Sequence, residues 1–220
     1  MSRQRLAKSA AILGGLTGVV LGLLFAPLAS AGTIVGSAHD FAGQAWSGGQ
    51  ICVACHAPHN TAVLADAPLW NHALSTATYT VYTSSTMNAT TAQPGSTSKL
   101  CLSCHDGTVA VNSFGGTTGT TFLTGGDNLG TALTNDHPIG FTYDAALVTA
   151  DGALQPITTA VTIGSGTKTK VGTIASNMLY AGKMECASCH DVHNTFTAAT
   201  GKLVKVSMAS SALCTTCHAK

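Results

Sequence analysis

Apolar positions in this chain concentrate in one run near the start and alternate over one later stretch; between them, patterning is sparse. The run spans Ala10 to Ala26, follows Arg3, Arg5 and Lys8, and leads into Ala29-Ser30-Ala31. A positive start, an apolar middle and a small-x-small end read as a cleavable export leader over residues 1–31. Seventeen residues sit at the lower edge of a bilayer span, and the internal glycines and cleavage site favour removal over a retained anchor. The alternation lies in ITTAVTI (Ile157 to Ile163) and TKTKVGTI (Thr167 to Ile174). Joined across Gly164-Ser165-Gly166, these predict a hairpin. YDAALVTADGAL (Tyr143 to Leu154) predicts one or two helical turns, and Ala175 to Lys183 a turn or short helix. The fold class expected is mostly irregular coil with short helices and a few short strands.

Cysteine changes this picture. All eight cysteines fall in four Cys-x-x-Cys-His units: CVACH (Cys52 to His56), CLSCH (Cys101 to His105), CASCH (Cys186 to His190) and CTTCH (Cys214 to His218). This is the attachment motif for c-type haem. Two thiols add to the two porphyrin vinyl groups, and the histidine after the second thiol becomes the proximal iron ligand. A zinc ribbon has no use for that trailing histidine, and no cysteine is left over for a disulfide. The expectation is a multihaem c-type cytochrome wrapped around four haems. Cys52, Cys55, Cys101, Cys104, Cys186, Cys189, Cys214 and Cys217 are the covalent attachment points. His56, His105, His190 and His218 are the proximal ligands. A short helical turn should carry each unit.

Composition agrees with a cofactor-filled interior. Charged residues are 9% and aromatics 5% of the chain, against roughly 25% charged in an average soluble domain. With so few large side chains, stability is expected to depend on the haems. Loss of the leader's three cations leaves seven Lys and Arg against nine Asp and Glu, and haem propionates add negative charge. Nucleic acid is therefore excluded as a partner. Glu185 is the one glutamate, so no carboxylate cluster offers acid-base catalysis.

The motifs also repeat. CVACHAPHN (Cys52 to Asn60) matches CASCHDVHN (Cys186 to Asn194), and LCLSCH (Leu100 to His105) matches LCTTCH (Leu213 to His218). His39 precedes the first pair and His137 the second. The chain divides into di-haem modules, 32–125 and 126–220, joined through a glycine- and threonine-rich stretch. His39, His59, His137 and His193 are the expected distal ligands, with His72 a less favoured fifth. A second histidine three residues past the proximal one cannot readily reach round to its own haem. His59 is therefore expected on the haem of Cys101 and Cys104, and His193 on that of Cys214 and Cys217. His39 and His137 then remain for the first and third haems.

Bis-histidine ligation closes both axial positions and lowers the reduction potential, which points to electron transfer rather than catalysis. The words CxxCHxPHN, PLWN, LCLSCHDGTVA, HPIGF, CASCHDVHN and LCxxCH resemble tetrahaem outer-surface cytochromes that polymerise into extracellular nanowires in metal-reducing bacteria. The similarity runs from about His39 to Lys220. It implies coil-rich subunits, haems in stacked and T-shaped pairs, and head-to-tail assembly into a homopolymeric filament. It also implies a distal histidine donated by the next subunit, for which His39 is the best-placed residue. The partners expected are other copies of the chain, other multihaem cytochromes as donors, and extracellular acceptors such as metal oxides. The expected location is secreted, at the cell surface or outside it. The alternative is a monomeric periplasmic carrier.

Overall fold

The computed structural model describes residues 34–59, 61–64, 66–198 and 202–219; the expected leader, 1–31, lies outside them. Regular structure is short and scattered, as expected. In chain order the elements are β1 (Ala62–Leu64), β2 (Ala67–Trp70), β3 (Thr80–Val81), α1 (Ser96–His105), β4 (Ala132–Leu133) and β5 (Phe141–Thr142). There follow α2 (Ala145–Asp151), β6 (Ala160–Ser165), β7 (Lys168–Thr173), α3 (Ile174–Asn177), β8 (Lys183–Met184), α4 (Cys186–Cys189) and α5 (Ala212–Cys217). The strands form two-stranded sheets only: β1–β2, β5–β8 and β6–β7 antiparallel, β3–β4 parallel. No helix among the described residues is long and apolar enough to cross a membrane.

The expected hairpin is β6–β7, in register from Ala160 opposite Thr173 to Ser165 opposite Lys168. Its turn is one step later than the glycines suggested, at Gly166-Thr167. The expected helical turns at 143–154 appear as α2, whose N-cap Asp144 accepts from Leu147 N and whose C-cap Gly152 is left-handed. The turn after Ile174 is α3, closed by a capping box between Thr173 and Ser176.

Helical backbone carries three of the four motifs. Cys101 to His105 end α1, Cys186 to Cys189 are α4, and Cys214 to Cys217 end α5. The first motif is a single turn in which His56 N donates to Cys52 O at 2.8 Å. Cores are small. The larger cluster gathers Phe141, Tyr143, Val161, Ile163, Ile174, Met178, Met184 and neighbours; the smaller is Tyr79, Leu102 and Leu133. Pairing crosses the expected division near residue 125: β3 joins β4, and Ser98 of α1 bonds Glu185 and Cys186 at the start of α4.

Candidate haem-attachment site

Each of three proximal histidines is held the same way. Nδ1 of His56 donates to Pro68 O at 2.9 Å, that of His105 to Asp127 O at 2.7 Å, and that of His190 to Lys202 O at 2.8 Å. A carbonyl on Nδ1 fixes the tautomer and leaves Nε2 as the free donor, the arrangement that orients a metal-ligating imidazole.

The carbonyl clasp is duplicated with the sequence. Ala57 N donates to Leu69 O and Asn71 N to Cys55 O; at the matching places Asp191 N donates to Leu203 O and Lys205 N to Cys189 O. His56 bridges to Trp70 and His190 to Val204. Leu69 and Leu203 both sit in the left-handed region, at φ 58° and 53°. This kink turns the preceding carbonyl toward the histidine.

Three pairs of imidazoles face each other. Ring centroids are 6.1 Å apart for His39 and His105, 6.1 Å for His56 and His193, and 6.4 Å for His137 and His218. Metal–nitrogen bonds of about 2 Å on opposite sides of one ion place two imidazole centroids about 6 Å apart. Burial, followed by the nearby His105, His193 and His190, lowers the pKa of His39 to about 4. It is therefore neutral at physiological pH, the form that binds metal.

The ring partners differ from those expected. His193 faces His56 across the two halves, not His218 within its own half. His39 faces His105 rather than His56, and His137 faces His218 rather than His190. The reason is tertiary: α1, which ends in the second motif, meets the start of α4, which carries the third, through Ser98, Glu185 and Cys186, and the chain after α4 sets His193 against His56 of the first motif. His39, expected to reach another subunit, stands inside its own chain. Among the described residues, no ring partner faces His59 or His190, and both are exposed.

His72 is buried, 4% exposed. Its Nδ1 lies 2.7 Å from Ala73 O, and its Nε2 lies 3.1 Å from Ala110 O and 3.4 Å from Cys104 Sγ. One ring nitrogen donates to a carbonyl, and the ring is packed beside an attachment cysteine, closed in by backbone on both sides.

None of the eight cysteines is in a disulfide, and their neighbours show which motifs adjoin. Cys104 is pushed up to about 12 by burial and then by Cys55. The Cys101 thiol is hydrogen-bonded to Cys186, which with burial drives it well above the usual thiol range. Cys217 is raised to about 11 by burial and then by Cys189. The four attachment sites thus adjoin in chain order: first to second, second to third, third to fourth.

The residues fit haem on further grounds. Buried His39 Nδ1, Trp46 Nε1 and Trp70 Nε1 have no hydrogen-bond partner, and haem brings carboxylates that accept such bonds. Among the described residues, no three His, Cys, Asp or Glu side chains gather into a metal cage. The donors are paired imidazoles beside paired thiols, which suits haem and not tetrahedral zinc.

No curated protein matches the chain. Residues 179–220 match the family model described as the doubled CXXCH motif, which supports a multihaem c-type cytochrome of the electron-transfer kind.

Proposed function

We propose that this chain is a tetrahaem c-type cytochrome that conducts electrons outside the cell after assembling head to tail into a filament. The observation that carries the reading is the three facing histidine pairs at 6.1 to 6.4 Å, each joining a proximal to a distal candidate. Haem held in such pairs supplies a reversible one-electron iron couple with no open position for substrate. The chain's own part is to aim and shield. The carbonyls of Pro68, Asp127 and Lys202 orient the proximal rings, and burial keeps His39 neutral.

Elimination completes the set. Six of the nine histidines stand in facing pairs, and His72 is buried against the Ala73 and Ala110 carbonyls with no facing imidazole among the described residues. His59 is left for the haem of His190, from the same chain or from the next copy. The adjoining attachment sites support a relay in which the second site neighbours the first and third and the fourth neighbours the third.

Two features support the filament. The chain is poor in charge, which weakens repulsion between copies. Val35, Val171 and Met208 expose 70%, 74% and 56% of their surface. An interface that does not close into a ring makes a fibre. The leader, 1–31, would be removed on export, leaving modules 32–125 and 126–220; other multihaem cytochromes would supply electrons, and metal oxides outside the cell would take them. Electron microscopy of haem-staining material from the producing cells tests this. Uniform thin filaments of this chain, with four low-spin haems each, are expected. Discrete monomers in the periplasm would replace the filament with a soluble carrier.

A further inference from the structure

The duplicated frame carries different charges at equivalent places. The residue after the proximal histidine is Ala57, Asp106, Asp191 and Ala219 at the four motifs in turn. Asp106 is 4% exposed. Its carboxylate accepts from Ser75 Oγ at 2.5 Å, Tyr79 OH at 2.6 Å, Thr108 N at 2.7 Å and Thr108 Oγ1 at 2.8 Å. These donors are neutral. Four hydrogen bonds donated to one buried carboxyl match its ionised form, which only accepts. Its backbone N–H closes α1 on Leu102 O at 2.9 Å, so the charge is fixed in place.

The third motif is built otherwise. Asp191 is only half-buried and spends its oxygens on the N–H groups of His193, Thr195 and Phe196. Beside it lies Lys205, 5% exposed, at the place Asn71 takes in the first half. The ammonium donates to Asn177 O and Tyr180 OH, each at 3.0 Å. Burial lowers its pKa to about 8, and Asp191 pulls the other way, so the two charges act on each other. The third site thus holds an anion and a cation, the residue after the proximal histidine is neutral at the first and fourth, and the second holds buried Asp106 together with the exposed Asp127, which acts on His39 from the surface.

We propose that Asp106 makes the haem of Cys101 and Cys104 the lowest-potential centre of the relay. The inference rests on the tetrahaem reading above. Ferric iron carries one more positive charge than ferrous iron, and a fixed anion in a poorly screened interior favours the more positive state. Asp106 adjoins the iron ligand His105 and acts through its field, not by contact with iron. Because the cysteines of the second site neighbour those of both the first and the third, electrons that pass through it meet an uphill step there.

The test is an optical redox titration of the haem-loaded full chain against Asp106→Asn, which keeps the shape and removes the charge. Haem is counted first. A chain without covalent haem would sink the cytochrome reading itself, a failure distinct from four haems with unmoved potentials. With four haems present, the lowest of the four one-electron steps should move up. The ferric-to-ferrous ratio at fixed potential should fall at least tenfold, about 59 mV for one electron, with the other steps moving less. A lowest step that stays put or moves down, or four steps that move together, overturns the proposal. If Asp106→Asn does not take up four haems, Tyr79→Phe decides. Removing that donor leaves the carboxylate's charge less offset, so the lowest step should move down; no movement or an upward one overturns the assignment.

Discussion

Leu69 and Leu203 hold left-handed backbone at matching places, yet their side chains differ in surroundings. Leu69 is 49% exposed and Leu203 is 4% exposed. Left-handed geometry costs a residue with a Cβ about 1–2 kcal/mol, while glycine's extra unfolded-state freedom costs roughly 0.5–1 kcal/mol. Leu69→Gly should therefore stabilise the haem-loaded chain by about 0.5 kcal/mol. Leu203→Gly removes a buried side chain, a change worth about 2–5 kcal/mol for leucine, and should destabilise by roughly 2 kcal/mol or more. Denaturant titration of the two variants checks the opposite signs. Equal effects would mean that the kink carries no strain. At this scale the sequence located the attachment residues and the pool of histidines, because covalent haem chemistry dictates their spacing. It could not say which ring faces which, since that depends on contacts between segments far apart in the chain, such as His56 with His193. Nor could it name the carbonyls of Pro68, Asp127 and Lys202, because every residue has one.

The junction of α1 and α4 joins the helices that carry the second and third motifs. Glu185 is 3% exposed. Its carboxylate accepts from Ser98 Oγ of α1 and, in the α4 capping box, from Ser188 N; its own N–H is taken by Ser188 Oγ at 2.9 Å. Ser98 Oγ also accepts from Cys186 N at 2.9 Å. Gly95, the N-cap of α1, lies so close to the carboxylate that an added Cβ would collide with it. Glu185→Ala strands the buried Ser98 hydroxyl, while Ser188 N keeps its bond to Glu185 O, so a loss of about 1–3 kcal/mol is expected in the same titration. Glu185→Gln keeps an acceptor and should lose less than half as much. If alanine and glutamine cost the same, the carboxylate is not what joins the two helices. The hairpin β6–β7 and helix α2 were foreseeable because alternation and turn residues mark them. The pairs β3–β4 and β5–β8 were not, since two-residue ladders carry no period and exist only because tertiary contacts bring their strands together. The full reach of α1 was equally hidden, its first turn being serine, threonine and lysine with no apolar stripe.

At the scale of the molecule, what is buried is too little to explain a chain of this length. Two clusters of apolar residues serve the described residues, the smaller made of Tyr79, Leu102 and Leu133. Much of what would otherwise be core is polar: Ser47, Ser75, Ser98, Ser103, Ser113 and Ser188 are all buried. Small hydroxyl side chains pack densely but contribute little apolar area, and burial of roughly 25 cal/mol per Å2 of apolar surface is what offsets chain entropy. Exposed imidazoles at His190, His193 and His218 and exposed thiols at Cys52 and Cys214 mark surfaces that covalent haem would cover. Haem-free chain should accordingly melt without a cooperative transition and show little near-ultraviolet circular dichroism, while the haem-loaded chain melts sharply. The first half should depend on haem most, because its own cluster is the smaller. Hydrogen exchange on the haem-free chain separates the halves: protection, if any survives, belongs to β6–β7 and α3 around Ile163, Ile174 and Met178. A cooperative melt of the whole haem-free chain would mean that these serine-rich contacts suffice alone. The haems would then be passengers in a preformed fold, not its core.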